Sequence, residues 1–379
     1  MILSKKKILF VTSTRADFGK LKSLIKIIKF HSSFNLVIVV TGMHMLKKFG
    51  NTHREVVKMF KSNIVKFKNQ KSNDNLEIIL FKTVKKFSEI VKKSNPDLIV
   101  IHGDRVESLA CASVGALNHI LTAHIEGGEI SGTIDDSIRH AITKLSHVHF
   151  VGSSIARKRV LLMGEKKKNI FKIGSPNIDV IVNKKLPDIN IVKSRYGIKF
   201  NQYSILLWHP VTSNINSLER DTKKLLSFCK SLNKNFVLVY PNNDPGSSII
   251  LKVYNELKQK NFKILRSLRF EHFLSLLKHS KFIIGNSSSA IYEAPMFNTP
   301  AINIGNRQHR RFKSRLIKNL EIEELDKNKI LRYLKHYKVR KKHIFGSGNS
   351  DEKFLKIISK KEFWMISRQK FFNEENIKL

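Results

Sequence analysis

Short unbroken runs of Val, Ile, Leu and Phe alternate along this chain with longer stretches of helical periodicity. Ile8–Thr12, Leu36–Thr41, Leu98–Ile101, Leu121–His124 and Val148–Gly152 read as strands of the first half. Between them, Phe18–Phe30 carries Leu21, Leu24, Ile25 and Ile28 on one helical face, and Ile78–Lys93 is a helix stopped by Asn95-Pro96. Strands that are apolar throughout, rather than at every second residue, are buried on both faces. That pattern belongs to a parallel sheet covered by helices on both sides.

A second series of the same kind follows: Ser204–Trp208, Phe236–Tyr240, Phe262–Leu265, Lys281–Ile284 and Ala301–Ile304. Gly174-Ser175-Pro176-Asn177 breaks the pattern between the two series, and Lys184–Phe200 is polar and irregular. The expected fold is therefore α/β, with two doubly wound Rossmann-like domains. We place the first at residues 1–175, a hinge at 176–198 and the second domain at 199–358. Residues 359–379 hold a final helical stretch, Lys360–Asn373, whose Phe363, Trp364, Ile366 and Phe371 pack it back on the first domain. Ligands of open α/β sheets bind at the carboxyl ends of the strands, so the expected site is the cleft between the domains.

Composition narrows the function class. No apolar run approaches the ~20 residues of a membrane-spanning helix, and the four-residue run Ile8–Val11 is too short for a signal-peptide core. No membrane insertion is expected. The two cysteines, Cys111 and Cys229, suit buried thiols in a reducing cytoplasm, not a disulfide framework or a cysteine metal site. The chain carries 70 Lys and Arg against 30 Asp and Glu, a net charge of +40. Such a balance raises the possibility of a nucleic-acid partner. The lysines are spread over the helices, however, with no long basic block, and Lys, Asn, Ile and Phe share A/T-rich codons. We read the charge as compositional bias that attracts anionic substrates, and expect no nucleic-acid partner.

Against that background, acids gathered at strand ends stand out. Thr14-Arg15-Ala16-Asp17-Phe18-Gly19 follows the first strand and opens a helix, where Arg15 and free backbone N–H groups suit an anion. His102-Gly103-Asp104-Arg105 ends the strand at Ile101. His124-Ile125-Glu126-Gly127-Gly128-Glu129 ends the next, and Ile134-Asp135-Asp136-Ser137-Ile138-Arg139-His140 follows. Carboxylates with different environments are the usual equipment for abstracting and returning a proton. The spacings His102/Asp104 and His147/His149 could suit metal ligands on strands, but with no cysteine pair and no HExxH, no metal is expected.

In the second series, Leu207-Trp208-His209-Pro210 ends the first strand and Tyr240-Pro241-Asn242-Asn243-Asp244-Pro245-Gly246-Ser247 the next. Later, Ile284-Gly285-Asn286-Ser287-Ser288-Ser289-Ala290 reads as strand, small-residue turn and short helix, a place where phosphate oxygens can approach backbone N–H groups. Glu293 lies one turn on, where a carboxylate can accept both hydroxyls of a ribose. Arg307, His309, Arg310 and Arg311 offer positive charge for a diphosphate.

These motifs, in this order from about residue 8 to 355, resemble the UDP-N-acetylglucosamine 2-epimerase family. Thr14–Gly19 and Gly285–Ser289 resemble its hydrolysing branch, which makes free sugars for sialic and legionaminic acid biosynthesis. The resemblance implies a glycosyltransferase-B-like fold, a UDP-sugar substrate, no metal or redox cofactor, and a homo-oligomer. It implies a reaction that begins with anti-elimination of UDP to a 2-acetamidoglucal. Water then adds to C1, and a proton returns to the opposite face of C2. It implies that Asp104, Glu126 and Asp136 are acid/base carboxylates, with Glu129 and Asp135 as alternatives for the last two. It puts Arg15 and His209 near the diphosphate, with His209 counted among the catalytic residues, Ser287, Ser288 and Ser289 in the phosphate loop and Glu293 on the ribose, and Asn243 joins the substrate-binding set. The sugar is either UDP-N-acetylglucosamine or UDP-N,N'-diacetylbacillosamine. A glycosyltransferase of the same fold and a non-enzymatic polyanion binder are the competing readings.

Overall fold

In a computed structural model of the chain, which describes residues 5–71, 74–183, 185–308, 316–337 and 346–374, the apolar runs form two wholly parallel sheets. The first contains β1 (Lys6–Thr12), β2 (Phe34–Val40), β3 (Ile64–Lys66), β4 (Leu98–His102), β5 (Leu121–Ile125), β6 (Val148–Val151) and β7 (Ile170–Lys172). Their spatial order is β3-β2-β1-β4-β5-β6-β7, with Ile8 opposite both Leu36 and Leu98. The second contains β8 (Ser204–Leu207), β9 (Phe236–Val239), β10 (Phe262–Leu265), β11 (Ile283–Gly285), β12 (Ala301–Ile304) and β13 (Ile317–Leu320), ordered β10-β9-β8-β11-β12-β13. In each sheet the order reverses between two central neighbours, β1 with β4 and β8 with β11. Connections leave those strands toward opposite faces, so their carboxyl ends border an open crevice.

Burial explains the unbroken apolar runs. Along β1, Ile8 and Phe10 join one core with Phe18, Leu21, Leu24 and Ile28 of the helix Arg15–Lys29. Leu9 and Val11 point the other way, into a core with Phe87, Ile90 and Cys111. Each large side chain removed from water contributes about 1.5–3 kcal/mol, so one strand stabilises both layers. In the second sheet Leu206, Leu238, Ile284 and Ile302 pack with Leu225, Leu226 and Tyr254.

The chain divides into two units: Met1–Glu129, Asp135–Lys184 and Ile344–Leu379 in one, and Ile130–Ile134 and Lys185–His343 in the other. This corrects the sequence reading at several points. The helix Ser350–Ile358 belongs to the first unit, not the second: Phe354 and Ile358 pack among the strands of β1 and β6, with Phe354 beside Phe10 and Phe150. The helix expected over Lys360–Asn373 is confined to Lys361–Trp364, and of its aromatics Phe363 is buried in the first core while Phe371 is exposed. The expected irregular hinge holds two helices, Pro176–Asn183 and Ile189–Tyr196. Both had signals in the sequence: a proline at the first helical position, and Asp188 capping Asn190 and Ile191 with Gly197 closing the far end. The strands missed, β3, β7 and β13, are all sheet edges of three or four residues that carry a lysine, which is how edges are kept from pairing with other chains. Among the described residues, no helix is long and apolar enough to cross a membrane.

Candidate active site

The reversal in the first sheet puts the ends of β1 and β4 side by side, with the end of β5 next to them. After β1 the chain enters a helix through a capping box: Thr14 Oγ1 accepts from the Asp17 N–H. The Asp17 carboxylate in turn accepts from the N–H groups of Ser13 (2.9 Å) and Thr14 (3.0 Å), from Ser13 Oγ (2.8 Å) and from Thr12 Oγ1. So dense a cap fixes the first turn and with it Arg15, whose Nε lies 3.0 Å from Glu55 Oε2. Behind this turn His44 is buried between Thr12 Oγ1 and Thr52 Oγ1, and burial pushes its imidazole down to about 4.

Glu126 stands at the end of β5 with φ +64°, a left-handed backbone that costs a non-glycine residue about 1 kcal/mol or more. Its N–H donates to the Phe150 carbonyl (2.9 Å), which holds that turn. Its Oε2 meets His102 Nε2 (3.0 Å) and Lys20 Nζ (3.2 Å), and its Oε1 accepts from Ser175 Oγ. Burial alone would raise this carboxyl; Lys20 and His102 outweigh it and hold the group far below the usual carboxylate range.

Asp104 and Asp136 are joined by one side chain, Arg139. The guanidinium is 1% exposed; its Nη2 donates to Asp104 Oδ2, and its Nη1 to Asp136 Oδ1 (3.1 Å) and to the Glu129 carbonyl (3.1 Å). Asp136 in the first turn of the helix Ile134–Leu145 and Arg139 in the next are three residues apart and so on one face. Asp136 is thus the member of the 135/136 pair seen on Arg139. Glu126 is the member of the 126/129 pair seen on His102 and Lys20. Glu129 is buried, and its backbone carbonyl serves Arg139. His124, buried below the Asp104 turn, bridges the Gly103 carbonyl (2.7 Å) and Thr143 Oγ1 (3.1 Å), and burial lowers it to about 3.

In the second unit the reversal joins the ends of β8 and β11. Gly285 brings these backbones together: a Cβ there would lie 2.0 Å from the Leu207 carbonyl oxygen. Asn286 then ties the two turns reciprocally, accepting from the His209 N–H and donating to the His209 carbonyl, both at 2.8 Å. The Asn242 N–H donates to His209 Nδ1 (3.1 Å). Nδ1 is therefore the acceptor, and the ring proton of the neutral imidazole sits on Nε2. Burial, reinforced by Arg307, pushes His209 down to about 3 and keeps it neutral. Arg307 Nη1 and Gln308 Nε2 reach the Asn286 carbonyl (3.4 and 2.9 Å).

Ser287 accepts from the Ser289 N–H (3.3 Å), while Ser288 and Ser289 are partly exposed. The expected short helix here is two 3-10 turns, Ser288–Ala290 and Ala294–Phe297, so the loop offers backbone N–H groups and hydroxyls without a long helix dipole. Glu293 is buried between them, and Asn243 is partly exposed in the loop after β9. His309, Arg310 and Arg311 lie outside the described residues.

Several groups in the first unit were missed by sequence reasoning: Arg139, Lys20, Ser175, and the role of His102. Each is distant in sequence from its carboxylate or embedded in a motif read for its acids. The histidine spacings weighed as ligands are otherwise occupied. His149 meets Glu165 (2.9 Å), His147 meets the Arg368 carbonyl (2.9 Å), and His102 meets Glu126. Among the described residues no group of three or more His, Cys, Asp or Glu is placed to hold a metal ion.

Comparison with known proteins follows the same lines. Residues 26–359 match the family model described as UDP-N-acetylglucosamine 2-epimerase. The chain is 40% identical over 376 residues to a UDP-N-acetylglucosamine 2-epimerase of Neisseria meningitidis, covering 98% of this chain and all of that one. It is 38% identical to a GDP/UDP-N,N'-diacetylbacillosamine 2-epimerase (hydrolyzing) of Campylobacter jejuni over 86% of each chain. It is 31% identical to a UDP-N,N'-diacetylbacillosamine 2-epimerase (hydrolyzing) of Legionella pneumophila over 93% and 95%. Among solved structures, a UDP-GlcNAc 2-epimerase from Neisseria meningitidis bound to UDP-GlcNAc aligns with a TM-score of 0.78 at 17% identity, covering 93% of this chain and 99% of that one. The likeness in structure shows the fold: two Rossmann-like domains of the glycosyltransferase-B type.

Proposed function

The chain belongs to the UDP-N-acetylglucosamine 2-epimerase family, and on that premise we propose that it is the hydrolysing form, converting UDP-N-acetylglucosamine and water to N-acetylmannosamine and UDP for sialic-acid-type sugar biosynthesis. The observation that carries this reading is the pair of anchored carboxylate sets at the first switch point. Glu126 sits on His102, Lys20 and Ser175, and Asp104 and Asp136 sit on Arg139. A weakly acidic C2 proton needs a positioned base, and its return to the opposite face needs a second positioned group.

In this reading the carboxylates act on C2, and His209, the serine loop and Arg15 take the leaving diphosphate. The C2 proton passes to a carboxylate, the C1–O bond breaks toward UDP, and a 2-acetamidoglucal remains. Water then adds its hydroxyl at C1, and C2 is reprotonated from the other face. Glu126 enters ionised. His209 presents its Nε2–H to the diphosphate, which gains charge as the bond breaks. Ser287, Ser288 and Ser289 line the phosphate loop, Glu293 takes the ribose hydroxyls, and Asn243 and Arg15 complete the binding set. Two buried unpaired thiols, Cys111 and Cys229, suit a cytoplasmic enzyme.

A second reading keeps the chemistry and changes the sugar to UDP-N,N'-diacetylbacillosamine, the substrate named for two of the relatives at 38% and 31% identity. Incubation with each UDP-sugar and no acceptor tests both. Release of UDP with free N-acetylmannosamine supports the first. Turnover of the diacetamido sugar alone supports the second, and no UDP release from either would exclude hydrolytic epimerisation.

A further inference from the structure

The structure assigns to Ser175 the role of positioning residue for Glu126, seated on the doubled segment where the first unit's chain leaves and returns. Four observations converge on it. Ser175 is 2% exposed, and its hydroxyl is the partner seen on Glu126 Oε1, while Oε2 takes His102 and Lys20. The same hydroxyl lies against Asn177 Oδ1, and Asn177 is wholly buried. A hydroxyl has one proton to donate. With the Asn177 amide turned so that its NH2 faces Ser175, the amide donates to Oγ and Oγ–H donates to Glu126. The one hydroxyl proton is then free to go to Glu126.

The seat of Ser175 is built from both crossings of the chain. Gly346, with φ +133°, passes so close that a Cβ on it would lie 3.2 Å from Gly174 Cα and 3.4 Å from the Ser175 nitrogen. Four residues on, Asp179 caps the returning helix. Its carboxylate accepts from the Ser350 N–H (3.0 Å), Ser350 Oγ (2.5 Å) and the Asp351 N–H (3.3 Å), and also from Ser23 Oγ (3.2 Å) of the helix that carries Lys20. Residues 174–179 thus run from the catalytic carboxylate to a buried staple joining three helices. Ser175 is held from behind on the first unit's own core, and it holds one oxygen of Glu126 in turn. A carboxylate fixed at both oxygens keeps its aim on C2, and a misplacement of ~1 Å costs up to a hundredfold in rate.

This rests on the reading that Glu126 is an acid/base residue, and the test separates the two. Ser175→Ala is expected to lower kcat at least tenfold, with UDP affinity by calorimetry within twofold and the thermal midpoint within a few degrees. Ser175→Thr, which keeps the hydroxyl, is expected to recover most of the rate. In a Glu126→Asp background, whose carboxylate is drawn back by one methylene, Ser175→Ala is expected to cost less than a further twofold. An unchanged kcat for Ser175→Ala, or an equal loss in both backgrounds, would overturn the assignment. Wild-type turnover by Glu126→Gln would instead overturn the reading beneath it.

Discussion

At the scale of single residues, the first unit is organised by its basic partners as much as by its acids. Arg139 is a fork: one guanidinium spans Asp104, Asp136 and the Glu129 carbonyl, a task that a point charge on a flexible stem does not perform. Arg139→Lys keeps the charge and loses the span. Its expected outcome is a fall in kcat of about a hundredfold or more, with UDP affinity unchanged, because the partners seen on Arg139 are the acids and not the groups assigned to the nucleotide. A steady-state assay beside a UDP titration checks both halves. The acids themselves were legible in the sequence, because carboxylates at strand ends are conspicuous in a chain with 70 basic residues against 30 acidic ones. Arg139 was not. One arginine among many carries no pattern of its own, and its burial is set by β4, β5 and the helix after them meeting in space. That His102 and Lys20 face Glu126 was hidden for the same reason, since both partners are distant from it in sequence.

Among the elements, the helix Ile134–Leu145 links the site to the chain terminus. Its first two turns bear Asp136 and Arg139. At its other end Lys370 caps it, donating to the carbonyls of Thr143 (3.0 Å), Lys144 (2.7 Å) and Ser146 (2.6 Å) and pairing with Glu165 (2.8 Å). Burial pulls Lys370 down to about 8 against the pull of Glu165. Lys370→Met would leave three carbonyls without that donor and Glu165 with one cation fewer. The expected loss is about 2–4 kcal/mol of stability, read as a lower denaturation midpoint. Central strands and long helices were readable because burial on two faces leaves a continuous apolar signature. The edge strands β3, β7 and β13 were not, since three or four residues with a lysine look like loop. The helix Ser350–Ile358 escaped because its place is fixed by Asp179, about 170 residues earlier, and not by local pattern.

For the whole molecule, the balance of +40 conceals an uneven use of charge. Among the described residues the buried acids are Asp17, Glu107, Glu129, Glu165, Asp179 and Glu293, while the buried bases are Lys22, Arg139 and Arg307. Scarce acids are drawn inward and lysines are left outside, which makes the surface more basic than the composition alone implies. Buried histidines add a pH dependence. Burial lowers His44 to about 4, and His124 and His209 to about 3, from an unfolded value of 6.5. Between those values the unfolded chain binds more protons than the folded one, so stability falls as pH drops below 6.5 and levels off near 3–4. Glu165, with burial opposing but His149 and Lys370 prevailing, is held at about 2 and adds a loss in the same direction below pH 4.5. The thermal midpoint is expected to fall by about 10 °C between pH 7 and 4.5; a midpoint flat across that range would mean these imidazoles are not buried as described.

Proton exchange at C2 is the step on which the functional assignment turns, and NMR of the products formed in deuterated water observes it directly. Free N-acetylmannosamine carrying deuterium at C2, released together with UDP, is the expected result. Free sugar with hydrogen retained at C2, or a 2-epimer still attached to UDP, would contradict it.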